Sequence, residues 1–122
     1  MRDLKNRLEI NQERQDHSLA LKVASEIVRM EINLSRMDKN IKGYKQLTSS
    51  IRRIKEYFQT NGYEIVDMLG KTYNAGMYVE ANFIPDESLA KGAQIITNIV
   101  KPQVNYNGVM IQAAQITVSQ NI

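Results

Sequence analysis

Residues 20–44 read ALKVASEIVRMEINLSRMDKNIKGY, and the spacing within this stretch decides what fold to expect. Ala20, Ile27, Leu34 and Ile41 recur every seven residues, and Val23, Met30, Met37 and Tyr44 recur with the same period, offset by three. Alternating steps of three and four make the a/d seam of a coiled coil, because slightly under-wound helices keep such positions turned toward a partner. The residues between are mostly Lys, Arg, Glu, Asp, Asn and Ser, so the apolar stripe is narrow and its flanks favour water. A narrow stripe on a long helix cannot bury itself. It needs a second copy or another helix of the same chain, and a homodimer is expected in preference to a higher oligomer.

Toward the N-terminus, Met1 to His17 is compatible with helix but poorly striped, with Leu4 and Leu8 on one face and Asn11 and Gln15 in the seam. Neither Pro nor Gly interrupts Met1 to Lys42. A helix from Met1 to Ile41 would span about 60 Å at 1.5 Å per residue, longer than a compact unit of this size is wide, so it is expected to project. Gly43 is the first place where the chain can end or bend a helix. Leu47, Ile51, Ile54 and Phe58 then mark a second amphipathic helix, starting at about Tyr44 or after an N-cap at Ser49 or Ser50, and closed by Thr60-Asn61-Gly62.

Past Gly62 the pattern changes from helix to strand. Met77, Val79, Ala81 and Phe83 alternate along one side of an extended segment that Pro85-Asp86 breaks. Gln94 to Val100 is rich in Ile and Val, and Pro102 closes it. Asn107-Gly108 is a strong hairpin signal, since both central residues of a tight type I′ turn need positive φ. Gln115 to Ser119 alternates as a last strand. The expected class is therefore α+β. A long coiled-coil helix over about residues 1–41 and a short helix over about 44–60 form a dimerisation region (1–61), followed by a small all-β domain (62–122).

The chain has 122 residues, 43% of them hydrophobic but only 7% aromatic and no Trp, which allows a modest core that association would reinforce. There is no Cys, hence no disulfide framework and no thiolate metal site, and a reducing, cytoplasmic setting is expected. No apolar run approaches the roughly 20 residues a bilayer crossing needs. Sixteen basic and thirteen acidic residues leave a mild excess of +3. The clusters Lys39/Lys42/Lys45 and Arg52/Arg53/Lys55 lack the interleaved aromatics that a base-stacking surface requires. Neither nucleic acid nor a membrane is expected as partner.

Little in the sequence points to catalysis. His17 is the only histidine, on a polar stretch without acidic or metal-binding company, and is expected to be solvated. Asp86-Glu87 are adjacent turn acids with no second carboxylate at a spacing suited to acid–base work. The glycines form no phosphate-cradling loop. No cofactor, no metal and no enzymatic activity are expected; the chain should act by touching another protein.

The order of elements and the residues beyond Gly62 resemble the GrpE family, nucleotide exchange factors of DnaK-type heat-shock chaperones. The resemblance rests on Gly62-Tyr63-Glu64-Ile65-Val66, on Gly70-Lys71-Thr72-Tyr73-Asn74-Ala75, and on the run from Asn107-Gly108-Val109 through Gln112 to Val118, with Leu34 and Arg36 fitting a stretch of the family's long helix. Where the family carries Phe-Asp-Pro this chain has Tyr73-Asn74-Ala75, Tyr78 stands at the family's histidine, and Val109 and Gln112 replace two arginines, one of which contacts the chaperone. The resemblance implies a GrpE-like dimer, paired through Ala20, Val23, Ile27, Met30, Leu34, Met37, Ile41 and Tyr44. Its β-domain would open the chaperone's nucleotide cleft and promote ADP release. It implies partner contacts at Tyr73, Glu80, Asn107, Gly108, Val109, Gln112 and Val118, with Tyr73 the foremost because an amphipathic aromatic makes a good anchor. The alternative is a dimeric adaptor that displays the β-domain to some other protein without exchange activity.

Overall fold

The computed structural model describes residues 16–122. Two helices, α1 (Ser18–Ser35) and α2 (Tyr44–Thr60), are followed by six strands: β1 (Tyr63–Ile65), β2 (Val79–Pro85), β3 (Gln94–Lys101), β4 (Val104–Tyr106), β5 (Val109–Gln112) and β6 (Ala114–Gln120). The strands form two small sheets. One is antiparallel in the order β1-β4-β5; the other has β6 at its centre, parallel to β2 and antiparallel to β3.

The expected long coiled-coil helix does not form. Within the described residues α1 stops at Ser35, so Met37 and Ile41 lie in the connection and Tyr44 opens the next helix. The expected extension across Met1 to Gln15, with Leu4 and Leu8, lies outside the described residues. The stop has a local cause. Ser35 Oγ donates to the Ile32 carbonyl at 2.6 Å, the Arg36 and Met37 amides bend back to Asn33 and Leu34, and Asp38 Oδ1 accepts the Asn40 amide at 2.9 Å. Short polar side chains thus offer the backbone bonds that compete with helix continuation. Gly43, at φ 92°, then turns the chain into α2.

The stripe on α1 is satisfied within the chain. Ala24, Ile27 and Leu34 are buried, and Ile27 and Leu34 form a core with Ile51 of α2, against which Met37, Tyr44, Ile54, Phe58 and Ile65 pack. Of the a positions of the apparent heptad, Ile27 and Leu34 therefore face α2, while Ile41 in the connection and Val23 and Met30 at the d positions stay exposed. Ala24 joins the buried set because a helical hairpin covers a wider stripe than a two-position seam. No helix among the described residues is long and apolar enough to cross a membrane.

The second core belongs to the β2-β6-β3 sheet. Ala114, Ile116 and Val118 alternate inward from β6 and join Ile96 and Met68, with Val66, Tyr73, Met77, Val79, Ala81 and Ile99 packed around them. The period-two pattern of β6 thus selects which face is buried. Behind it, Thr97 Oγ1 lies 2.7 Å from the Oγ of buried Ser119, so the one buried polar side chain of the core is paired. The Asn107-Gly108 turn joins β4 to β5, with Tyr106 opposite Val109 and both turn residues at positive φ.

Candidate functional site

The residues singled out for partner contact separate into buried and exposed sets. Val118 is fully buried at the centre of the β-core, where no partner can touch it. Tyr73 is half-buried, packs on the same core, and meets Phe83 edge-on at 5.3 Å. Its backbone amide donates to the Gln94 carbonyl at 2.9 Å, so this tyrosine anchors its own loop.

Asn107 is shaped by its turn and by the end of α2. Its amide donates to the Gly62 carbonyl at 2.8 Å, and its side chain fills the space where a Cβ on Gly62 would stand. Gly108 is open to solvent, and Val109 beside it is 66% exposed. From Val109 the strand β5 leads through exposed Met110 to Gln112, whose Nε2 donates to the Pro102 carbonyl at 2.7 Å. Gln112 and Glu80 then line one open groove of about 490 Å³ together with Tyr78, Lys101 and Gln115. Glu80 is held there by strand pairing, opposite Gln115 of β6. The fold thus brings Glu80 and the half-buried Gln112 to one open strip together with Lys101 and the 76%-exposed ring of Tyr78, while Val109 is exposed three residues earlier on β5 and does not line it. That strip suits protein recognition: aromatic and aliphatic surface beside one acid, one base and two amides.

The helical hairpin carries a second surface. Leu19, Val23 and Met30 of α1 and Tyr57 of α2 are exposed. Leu19, Ala20, Val23, Ile54, Tyr57 and Phe58 border an apolar groove of about 460 Å³ between the helices. Of the residues expected to pair two copies, Val23, Met30 and Ile41 are exposed, Ala20, Met37 and Tyr44 are half-buried, and Ile27 and Leu34 are buried within the chain.

His17 is not the freely solvated residue that the sequence suggests. Its Nδ1 lies 2.6 Å from the Tyr63 hydroxyl, and its ring stacks at a tilt on Tyr106 with centroids 4.7 Å apart. Phe58 meets Tyr63 edge-on at 5.5 Å, so four rings tie the start of α1 and the end of α2 to β1 and β4. Burial pushes the Tyr63 phenol above its ordinary pKa, and the neighbouring Tyr106 adds to the rise. No short-range signal announces this cluster, because the partners are brought together across 46 residues. Among the described residues no group of three His, Cys, Asp or Glu side chains converges as a metal site would require. Compared with protein-family models and with curated proteins, the chain matches none.

Proposed function

We propose that this chain is a GrpE-like co-chaperone that binds the nucleotide-binding domain of a DnaK-type chaperone in the cytoplasm and promotes ADP release. The observation that supports the reading is the open strip lined by Tyr78, Glu80 and Gln112, with Val109 exposed three residues before Gln112 on β5. These are positions at which the resemblance assigns chaperone contact or a distinctive family residue. With Val109 and Gln112 in place of arginines, the contact is less charged than the family's and relies more on Tyr78, Val109 and Met110 as apolar anchors. To accelerate release, the strip must bind the open, nucleotide-free cleft more tightly than the closed one; ADP and the co-chaperone then weaken each other by the same factor.

A homodimer accompanies this reading. Exposed Leu19, Val23, Met30 and Tyr57 form a face on which a second hairpin can pack, making four helices from two copies. The decisive experiment follows release of a fluorescent ADP analogue from a DnaK-type ATPase with and without the protein. Acceleration that is lost in Tyr78→Ala supports the reading, and no acceleration with any such ATPase overturns it. A dimer that binds such a chaperone without changing the release rate would favour the adaptor.

A further inference from the structure

The positive charge of this protein is concentrated at one place in the fold. The twenty residues from Arg36 to Lys55 hold seven of the sixteen basic residues and one of the thirteen acidic ones, so the rest of the chain is net acidic. Four of the seven, Arg36, Lys39, Lys42 and Lys45, sit in the α1–α2 connection and the first turn of α2, at the closed end of the hairpin, and all four are exposed. The described residues contain two ion pairs, Arg29–Glu26 and Lys55–Glu31, and neither involves these four cations. The single acid among them, Asp38, has one carboxylate oxygen turned to the Asn40 amide.

Only Arg36, the C-cap of α1, meets the negative end of a helix; the lysines beyond it gain no such partner. The first turn of α2 contains no acid, and its cap provides no side-chain hydrogen bond, so Lys42 and Lys45 add to the partial positive charge already present there. Two aliphatic side chains stand in the same region with about half their surface in water, Ile41 at 48% and Leu47 at 50%. Tyr44, the one aromatic of this end, is half-buried with its side chain packed against the hairpin core. Behind the tip, Lys45, Gln46, Ser49, Ser50 and Arg53 line a shallow open concavity rich in donors.

We propose that the closed end of the helical hairpin is a docking surface for an anionic membrane. The occupant is argued from charge and from the exposed aliphatics together. Four cations with no ion-pair partner among the described residues match a surface of phosphate and carboxylate headgroups, and Ile41 and Leu47 provide side chains that gain by entering the headgroup–acyl boundary. A nucleic-acid partner would use the cations but give the two aliphatics nothing to enter, and it would call for an available aromatic platform. The contact is peripheral and reversible, since neither helix is fit to cross a bilayer. It also leaves the β-strip free: α2 runs for 17 residues between the tip and β1, about 25 Å at the usual rise. The inference is independent of the exchange activity.

Sedimentation with phosphatidylcholine vesicles, with and without phosphatidylserine, tests it on the full chain. Binding is expected only to the serine-containing vesicles, falling as salt is raised. Each of Lys39→Ala, Lys42→Ala and Lys45→Ala should weaken it about fivefold, and the triple variant about a hundredfold. Ile41→Ser keeps every charge and should also weaken binding, which separates insertion from simple attraction; it remains informative should the triple variant fold poorly by circular dichroism. Equal binding to both vesicle types, no binding at low salt, or retention of nucleic acid without vesicle binding would each overturn the proposal. So would an Ile41→Ser variant that binds as well as the parent.

Discussion

Replacing Ile27 with Ala asks whether the stripe on α1 serves this chain or a second one. Ile27 is fully buried in the hairpin core with Leu34 and Ile51. The substitution removes three carbons, about 2.4 kcal/mol of transfer free energy at about 0.8 kcal/mol per carbon. The hole left between two packed helices raises the loss to about 3–4 kcal/mol, within the range measured for such truncations. For a chain of this length that corresponds to a fall in Tm of roughly 12–16 °C, at about 4 °C per kcal/mol. Because the cavity lies inside one chain, its cost should not vary with protein concentration. Val23→Asp is the counterpart. Val23 is exposed on the single hairpin, so the charge should change the stability of one chain by no more than about 0.5 kcal/mol while dissociating the proposed dimer. Thermal and urea unfolding followed by circular dichroism measure the first effect, and light scattering measures the second. The reasoning is refuted if Ile27→Ala costs less than about 1 kcal/mol, or if its cost vanishes at high concentration as it would for an interchain seam.

Gly62→Ala should destabilise by about 2 kcal/mol or more in urea unfolding, because the new Cβ meets the Asn107 side chain and φ stands at 89°. Tyr63→Phe should cost about 0.5–1.5 kcal/mol by removing the hydroxyl that faces His17 at 2.6 Å, and His17→Ala added to it should cost less than the two alone would suggest. The Tyr63 phenol also has a raised pKa in the folded state, so its contribution is present below pH 10.0 and is lost as pH rises through the folded value. An alkaline loss of stability beginning near pH 10.0 should therefore be smaller in Tyr63→Phe than in the parent. Tyr78→Ala on the β-strip and Val109→Glu on β5 should abolish the proposed acceleration of ADP release with Tm nearly unchanged, whereas Tyr73→Ala should lower Tm by several degrees through the core it packs on.

The strands were the more legible half of this molecule. Asn107-Gly108 demanded positive φ twice in succession, and the structure has a hairpin there; Gln115 to Ser119 alternated cleanly, and β6 forms over it. Both signals are local and depend on backbone stereochemistry or on a period of two. Of the helices, α2 forms where the spacing of Leu47, Ile51, Ile54 and Phe58 places it, but α1 misled because a seven-residue period and a hairpin stripe share most of their positions. Ile27 and Leu34 fit either reading, and only Ala24, buried at a position between the two seams, separates them. The absence of Pro and Gly before Gly43 also masks the stop at Ser35, which comes from Ser and Asp side chains bonding back to nearby backbone. Of the residues named from the resemblance, the structure brings Glu80 and Gln112 to one groove and leaves Val109 exposed on β5. Tyr78 enters the resemblance only as the residue at the family's histidine and Lys101 not at all, since their shared groove exists only once β2, β6 and β3 are assembled. Val118 shows the opposite limit: a residue in a matching motif that the register turns inward.

The position of β6 between β2 and β3 bears on how the protein is born. During synthesis both outer strands leave the ribosome before the one that joins them, and Val79 waits for Ala114. Until then their ladder groups have no neighbour, and Val79, Ala81, Ile96 and Ile99, which pack with β6 in the finished core, are open to other nascent chains. The helical hairpin, with its short-range contacts, has no such delay and is ready first. Stalling translation between Tyr106 and Ala114 should therefore yield a chain with an assembled hairpin and adhesive, unjoined strands.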